Sequence, residues 1–370
     1  GWPVGAVRPG RVVGGGVRGL RWRSEASCRC ATELIQRGLP LSSNGSAWVA
    51  TGSVCTVQII IDQSLPAFPG ERTVITIGAY DGVHRGHQSV IAAVRAKAAA
   101  EGALSAVVTF DKHPASVVRP ESAPKLLTDI DQKMTALAAT GVDATFVVRF
   151  DADAAQEDPA DFVRRVLVDT LRAQLIVVGE DFHFGYKRGG NVALLRELGK
   201  EHDFEVVPVQ LIARPDGVAE PVSSTSIRRA LAGGQVEVAA NLLGRPFSVS
   251  GVVVHGDKRG RTIGFPTANI EVPNAMCLPA DGVYSGIVQR ADGSTFVCAI
   301  NLGRRPTFFE HADHSLLEAH LLDFDGDLYG ERVMVTFEHF LRSERKFEGL
   351  ESIKTQLQLD VAAARVAHLR

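Results

Sequence analysis

Residues 74–88, VITIGAYDGVHRGHQ, decide how this chain is read. The β-branched run Val74-Ile75-Thr76-Ile77 has the composition of a buried strand, and it stops at Gly78. A short turn with Gly82 and Gly86 follows, then a segment of helical character from about Gln88 to Ala100. Strand, glycine-bearing turn and helix start together favour a phosphate, because the first N–H groups of a helix are unpaired and its dipole attracts negative charge. His84 and His87 stand in that turn as His-Arg-Gly-His. Both rings can donate to phosphoryl oxygens, and Gly86 lets the backbone approach a ligand closely. The plainer alternative, two surface histidines in an ordinary strand-to-helix loop, fits the context less well.

Downstream, Ala106–Phe110 reads as a second buried strand, ending in Asp111-Lys112-His113-Pro114, where proline stops the pairing. A helix around Asp129–Thr140 carries Ile130, Met134, Leu137 and Ala138 at helical spacing, and Gly141 closes it. The strand Thr145–Val148, a helix after Pro159 with Phe162, Val166 and Leu167, and the strand Leu175–Val178 continue the alternation. Strands apolar throughout and separated by helices predict a parallel sheet covered on both faces. In such sheets ligands gather at the carboxyl ends of the strands. His84, His87, Asp111, His113 and the segment Gly179-Glu180-Asp181-Phe182-His183-Phe184-Gly185 all fall there. That segment is either a glycine-rich loop whose aromatic faces lie against a flavin or adenine, or a solvated loop whose phenylalanines fill the core. Spacing does not separate the two. Ser223-Ser-Thr-Ser-Ile-Arg-Arg229 precedes a helix starting near Ile227. Its hydroxyls are first of all N-caps, but with open N–H groups and Arg228 they also suit a pyrophosphate.

Beyond Gly233-Gly234 and a short helix over Val236–Leu243 the texture changes. Val249–Val254, Val283–Gln289, Phe296–Ile300, Leu316–Leu322 and Arg332–Phe337 are strand-like, and one terminal helix starts at Leu350. Short strands without alternating helices predict a small antiparallel barrel, with Ile353, Leu357 and Val361 facing it from the terminal helix. The basic, glycine-rich loop His255–Arg261 is followed by Gly264-Phe265-Pro266-Thr267-Ala268-Asn269. In an extended segment Thr267 and Asn269 face one side, so both can reach a single hard cation such as Mg²⁺. No Gly-x-x-x-x-Gly-Lys-Ser/Thr pattern occurs, so any kinase chemistry here is not of the P-loop type.

Gly78-Ala-Tyr-Asp-Gly-Val-His-Arg-Gly-His87 resembles the His-x-Gly-His signature of the nucleotidyltransferase superfamily. In its full length it is similar to the bacterial bifunctional riboflavin kinase/FMN adenylyltransferases. Ser223-Ser224-Thr225 with Arg228 resembles the family's phosphate-holding Ser-Ser-Thr-x-x-Arg motif. Pro266-Thr267-Ala268-Asn269, Asp281-Gly-Val-Tyr284, Asn301-Leu-Gly303, Pro306-Thr-Phe308 and Leu328-Tyr-Gly330 resemble the riboflavin kinase signatures. The resemblance covers roughly residues 71–370. It implies an α/β + β architecture: an N-terminal Rossmann-like adenylyltransferase domain over 71–240, and a β-barrel kinase domain with a C-terminal helix over 241–370. On this basis His84, His87 and Glu318 are catalytic, Glu318 taking the proton of the ribityl hydroxyl. Gly78, Tyr80, Asp81, Gly86, Ser224, Thr225, Ser226 and Arg228 bind ATP in the first domain. Phe110, Asp111, His113, Pro114, Asp181, Phe182 and Phe184 bind flavin there, although many relatives carry Asn where Asp181 stands; Ala79 and Lys112 are further departures. In the kinase domain Gly256, Lys258, Arg259, Gly260, Gly264 and Pro266 bind ATP, Thr267 and Asn269 hold Mg²⁺, and Arg342, Glu344 and Phe347 lie on the flavin side. Residue spacing alone would not choose Glu318 over Glu310 or Glu331, and the charged cluster from Arg342 to Phe347 is equally compatible with a solvated face. The implied partners are ATP, riboflavin and FMN, with no nucleic acid, no membrane and no obligate protein partner. The two phosphate sites are expected to lie in separable domains, with a fragment from about Leu242 making FMN alone. A transferase with another substrate, and a non-catalytic flavin-binding regulator, are the alternatives.

Composition narrows the class. Among 370 residues, 45% are hydrophobic and 22% charged, enough for two soluble cores. A net charge of −2 argues against a general nucleic-acid binder, and no apolar run approaches the ~18 residues of a membrane span. Cys28, Cys30, Cys55, Cys277 and Cys298 form no zinc quartet or disulfide framework, which suits the cytoplasm. Residues 1–50 carry seven Arg, no Lys and only Glu25 and Glu33 as acids. A transit peptide, a disordered tail, or translated sequence ahead of the real start would each look so, the last ranking first. Over 1–70, Val54–Ile61 is expected either to add a strand or to pack loosely, and the rest to be poorly ordered.

Overall fold

A computed structural model describes residues 46–51, 55–62, 66–210, 212–256, 259–304 and 315–369. The first part runs β1 (Ser46–Thr51), β2 (Cys55–Ile61), β3 (Thr73–Ile77), α1 (Arg85–Glu101), β4 (Leu104–Phe110), α2 (Pro114–Val118), α3 (Ile130–Ala138) and β5 (Ala144–Val148). It continues with α4 (Pro159–Phe162), which widens into π-type turns over Val163–Thr170, then β6 (Ala173–Gly179), β7 (His183–Phe184), β8 (Gly190–Asn191), α5 (Val192–His202), β9 (Glu205–Val209), α6 (Ser224–Ala232) and α7 (Val236–Leu243). Seven strands form one sheet in the order β1-β2-β5-β4-β3-β6-β9, parallel except for the antiparallel β1.

The alternation of side chains explains why these strands are apolar throughout. Val74, Val107, Val147 and Val177 point to the face covered by α1 and α3, meeting Ile91, Val94 and Leu137. Ile75, Val108, Phe146 and Ile176 point to the opposite face, where Phe162, Val166, Leu167 and Leu195 cover them. Segment 55–61 supplies both cores: Val57 and Ile59 go to the first and Ile60 to the second, each buried. It is therefore a sheet strand, not loose packing.

The second part contains β10 (Phe247–Val254), α8 (Arg259–Thr262), β11 (Ala268–Glu271), β12 (Gly282–Gln289), β13 (Thr295–Arg304), β14 (Ser315–Leu321), β15 (Arg332–Arg342) and α9 (Leu350–His368). The strands close into an antiparallel barrel in the order β10-β11-β14-β13-β12-β15. At the β12–β15 register shift a Cβ on Gly286 would stand 1.9 Å from the Thr336 carbonyl oxygen, so only glycine fits this tight crossing. α9 does cover the barrel, but its most buried line is Gln356, Asp360 and Ala364, with Ile353, Leu357 and Val361 only half-buried beside it. Buried Asp360 accounts for this: it pairs with Arg342 at 2.7 and 2.9 Å and accepts from Gln356 Nε2 at 2.7 Å.

The two parts share a core. Ile227, Leu231, Val236, Ala239 and Leu242 are buried in one cluster with the barrel residues Val249, Tyr284 and Phe337. α7 thus closes one end of the barrel, and a fragment cut at Leu242 would leave that end uncovered. Polar bonds reinforce the junction, with Arg332 to Asp129 at 3.0 Å and Gln132 Nε2 to the Ser248 carbonyl at 3.2 Å.

Candidate active sites

The first site is built on the turn between β3 and α1. Tyr80, Gly82 and Val83 have φ of 51°, 85° and 40°, so two non-glycine residues occupy left-handed backbone. Such strain persists only where surrounding contacts hold it. Tyr80 is buried with its hydroxyl 2.7 Å from Thr76 Oγ1. The buried Asp81 carboxylate accepts from Leu127 N at 2.9 Å and Thr128 N at 3.2 Å, and pairs closely with the Arg228 guanidinium.

α1 begins three residues earlier than the sequence suggests, and His84 is its N-cap. The His84 Nδ1 accepts from the His87 N–H at 3.3 Å, which leaves its proton on Nε2. The two imidazoles stack at 3.6 Å between centroids, inclined by 16°. Gly86 permits this, since a Cβ there would meet the His84 ring at 3.0 Å and the Val222 carbonyl at 3.1 Å. Burial, then Arg228 and Arg245, push the His84 pKa down to about 4. Burial, then His84 and Lys133, hold His87 well below its usual range. Its Nδ1 is buried with no hydrogen-bond partner among the described residues. The site therefore holds two neutral imidazoles at physiological pH, at the N-terminus of a 17-residue helix.

Lys133 belongs to the same site and was not singled out from sequence. It is 7% exposed and donates to the Phe110 carbonyl at 2.6 Å and, more weakly, to Ala79 at 3.5 Å. It thereby ties together the carboxyl ends of β3 and β4. Burial lowers its pKa to about 8, against the opposing pull of Asp81 and Asp111. The available signal was a lysine beside Met134 on the apolar face of a short amphipathic helix.

The other residues of the first domain divide into two groups. Asp111 accepts from Phe150 N at 2.8 Å, and His113 caps α2 through Ala115 N at 3.2 Å, with Pro114 in the first turn. Phe110 meets Phe150 edge-on at 5.3 Å. These groups stand beside the histidine turn: Asp81, Arg228 and Lys133 all act on His113, and Asp111 acts on Lys133. Phe184, in contrast, is a core residue against Phe162, while Phe182 stacks on it from the partly exposed side and Asp181 is exposed. At α6, which starts at Ser224, Ser223 and Ser226 form a reciprocal capping box. Ser224 donates to the Asp81 carbonyl at 2.9 Å, and Thr225 is exposed. Arg228 is bound to Asp81 and to the Lys125 carbonyl, so Asp81 serves this turn as an anchor and Arg228 is partly engaged by it. A cleft of about 530 Å³ opens beside Glu180, Asp181, Val209, Ala213 and Glu220, between the ends of β6 and β9 and the approach to α6.

The second site lies across barrel strands. Asn269 on β11 stands directly opposite Glu318 on β14, and Glu318 stands opposite Asn301 on β13. Asn269 is 7% exposed, and its Oδ1 has no hydrogen-bond partner among the described residues. The preceding loop closes on it, since a Cβ on Gly256 would stand 2.2 Å from Asn269 Nδ2. Thr267 lies near Gly260, Gly264 takes a left-handed φ of 88°, and the Pro266 carbonyl contacts His320 Nδ1 at 2.7 Å. Lys258, Pro306, Thr307 and Phe308 lie outside the described residues, as does the side chain of Arg259. On the far side Glu344 packs against Gly303, and Phe347 lies under the Arg345 guanidinium at 5.0 Å. Arg342 is committed to Asp360 on α9, so it fixes this wall rather than projecting freely from it.

A parallel-sheet domain with an imidazole pair at a helix N-terminus, followed by a barrel with an Asn–Glu–Asn row, defines a two-site nucleotide-handling protein. Residues 69–226 match the family model for FAD synthetase, and residues 243–368 that for riboflavin kinase. A bifunctional riboflavin kinase/FMN adenylyltransferase of Pseudomonas fluorescens is 42% identical over 79% of this chain and 92% of its own length. Its counterpart from Escherichia coli K12 is 37% identical over 82% and 95%. A solved structure described as a macrolide-efflux protein from Streptococcus pneumoniae superposes with a TM-score of 0.70 at 30% identity, covering 80% of this chain and 94% of that one. No helix among the described residues is long and apolar enough to cross a membrane. The chain belongs to the bifunctional riboflavin kinase/FMN adenylyltransferase family.

Proposed function

We propose that this chain makes FAD in two ATP-dependent steps. The barrel transfers the γ-phosphoryl group of ATP to riboflavin, giving FMN and ADP. The α/β domain then joins FMN to the AMP part of ATP, releasing pyrophosphate. The reading rests on one observation: a neutral imidazole pair at a helix N-terminus and a Glu–Asn row on a closed barrel occur together in one chain.

In the first domain, His84 Nε2–H, the His87 ring and the free N–H groups of α1 would meet the α-phosphoryl group, where charge builds up during displacement. Thr225 and the α6 N-terminus would take the leaving pyrophosphate, with Arg228 swinging between it and Asp81. The adenine would enter the cleft beside Glu180, and the flavin would lie towards Phe110, Asp111 and Phe182.

In the barrel, Glu318 would accept the proton of the attacking ribityl hydroxyl as that oxygen bonds to phosphorus. Thr267 and Asn269 would hold Mg²⁺, and the buried Asn269 Oδ1, which has no hydrogen-bond partner among the described residues, fits a hard cation. Such an ion, bound with ATP, would neutralise charge on the phosphates. The flavin ring would lie towards Phe347 and Glu344. A cytoplasmic setting, with ATP, riboflavin and FMN as the only partners, belongs to the same proposal.

Incubation with riboflavin, ATP and Mg²⁺ followed by chromatography tests it. FMN should appear first and FAD after it. Absence of any flavin nucleotide, with or without flavin binding, would refute the reading.

A further inference from the structure

Arg245 lies within the part of the chain that matches riboflavin kinase, yet its side chain reaches the other domain. The guanidinium donates to the Gly82 carbonyl at 2.8 Å and the Val83 carbonyl at 3.4 Å. It forms no ion pair with a carboxylate among the described residues, although it is partly buried. The same turn is held a second way, since Gln88 Nε2 donates to Val83 O at 2.8 Å and to Leu243 O at 3.0 Å. On its other flank the turn is anchored through Asp81 to Leu127 and Thr128. That segment is in turn fixed to the barrel by the Leu126 N–H to Ala275 O and the Cys277 N–H to Leu126 O, both 2.7 Å. The residues gripped in this way are Gly82 and the strained Val83, immediately before His84.

We infer that Arg245 is a positioning residue for the adenylyl transfer step: from the kinase half of the chain, it holds the Gly82–Val83 turn so that His84 and His87 face the reacting phosphoryl group. A cation carrying two carbonyls and no carboxylate keeps its field at the turn instead of spending it on a partner. That field acts on His84 together with Arg228 from α6, while His87 faces it within α1. It favours the neutral ring, whose Nδ1 must stay unprotonated to accept the His87 N–H. The strained turn has the alternative of relaxing towards ordinary φ when the grip is lost, which would displace both rings from the helix axis. The inference rests on the proposed adenylyltransferase reading and adds a coupling between the two halves.

The test compares the full-length protein with its Arg245→Ala and Arg245→Lys variants, assaying FAD formation from supplied FMN and FMN formation from riboflavin. The alanine variant should lose at least about tenfold in kcat for FAD, with KM for ATP within about twofold and FMN formation unchanged. The acid limb of its FAD-forming pH profile should move to higher pH, because a cause that keeps His84 deprotonated is gone. The His84 imidazole pKa, followed by NMR, should rise with it. Lysine at 245 should recover part of both effects. Unchanged FAD formation would overturn the inference, and so would a parallel loss of both activities or a fall in kcat with no movement of the acid limb. A parental protein that makes no FAD would instead refute the underlying reading.

Discussion

The two candidate sites solve the placement of polar groups in opposite ways. The histidine site sits on a turn, the least constrained kind of backbone, and is made rigid by its surroundings. Asp81, Gln88, Arg245 and Lys133 each bind backbone atoms of the segments that frame it. The barrel site sits on strands, where the ladder itself sets Asn269, Glu318 and Asn301 in register, and few side-chain bonds are needed to align them. A site on a turn therefore depends on distant supports, while a site on a closed sheet depends mainly on its own side chains. Substitutions should separate the two cases.

Glu318→Gln gives the largest expected effect. If Glu318 is the base, FMN formation should fall about 10³-fold, within the ~10²–10⁴ range of general-base catalysis, while FAD formation from supplied FMN is unaffected. A glutamine variant with parental kinase activity would show that register alone does not identify the base.

His87→Ala should reduce FAD formation about 10²–10³-fold, or roughly 3–4 kcal/mol of transition-state stabilisation, and leave FMN formation nearly intact. Riboflavin and ATP would then lead to accumulated FMN. FAD made at the parental rate would reduce His87 to a loop residue.

Next comes stability against pH. His84 is buried with its pKa lowered to about 4, below the ~6.5 of an unfolded histidine, so the unfolded chain takes up the proton first. Its contribution is present above pH ~6.5 and is lost as pH falls towards 4, to the extent of about 3 kcal/mol, with His87 acting in the same direction. Urea unfolding between these pH values should show the decline, and His84→Gln should flatten it. An equal slope in that variant would place the titration elsewhere.

The smallest effect expected is that of Lys133→Met, which keeps the stem and removes the charge. The loss of its link between Phe110 and Ala79 should lower FAD formation about tenfold, ~1.4 kcal/mol, without touching the barrel reaction. In the parental protein FAD formation should also decline as pH rises through about 8, where Lys133 gives up its proton, and the variant should lack that limb. A retained limb would detach Lys133 from the turn's function.

The architecture, and the strand ends where the two candidate sites are sought, were legible in the sequence. Apolar, β-branched runs such as Val74–Ile77 and Leu175–Val178 read as strands buried on both faces and are so in the fold, and glycine, histidine and hydroxyl clusters at their ends point to a ligand edge. These are local signals, carried by neighbouring residues and readable at short range. Partnership across the chain is not local, and it emerges only once distant segments are packed together. Arg228 and Asp81 are 147 positions apart, and Arg342 finds Asp360 on another element, so residues that resembled free ligand contacts proved to have protein partners. Phe184 went to the core because Phe162 lies across from it, which spacing could not show. The helix Val236–Leu243 looked like the end of the first domain and packs instead as the cover of the second. Lys133 and Arg245 had no motif to announce them. Their roles come from burial and from the carbonyls that the fold brings within their reach, since a cation's surroundings, not its neighbours in sequence, set what it does.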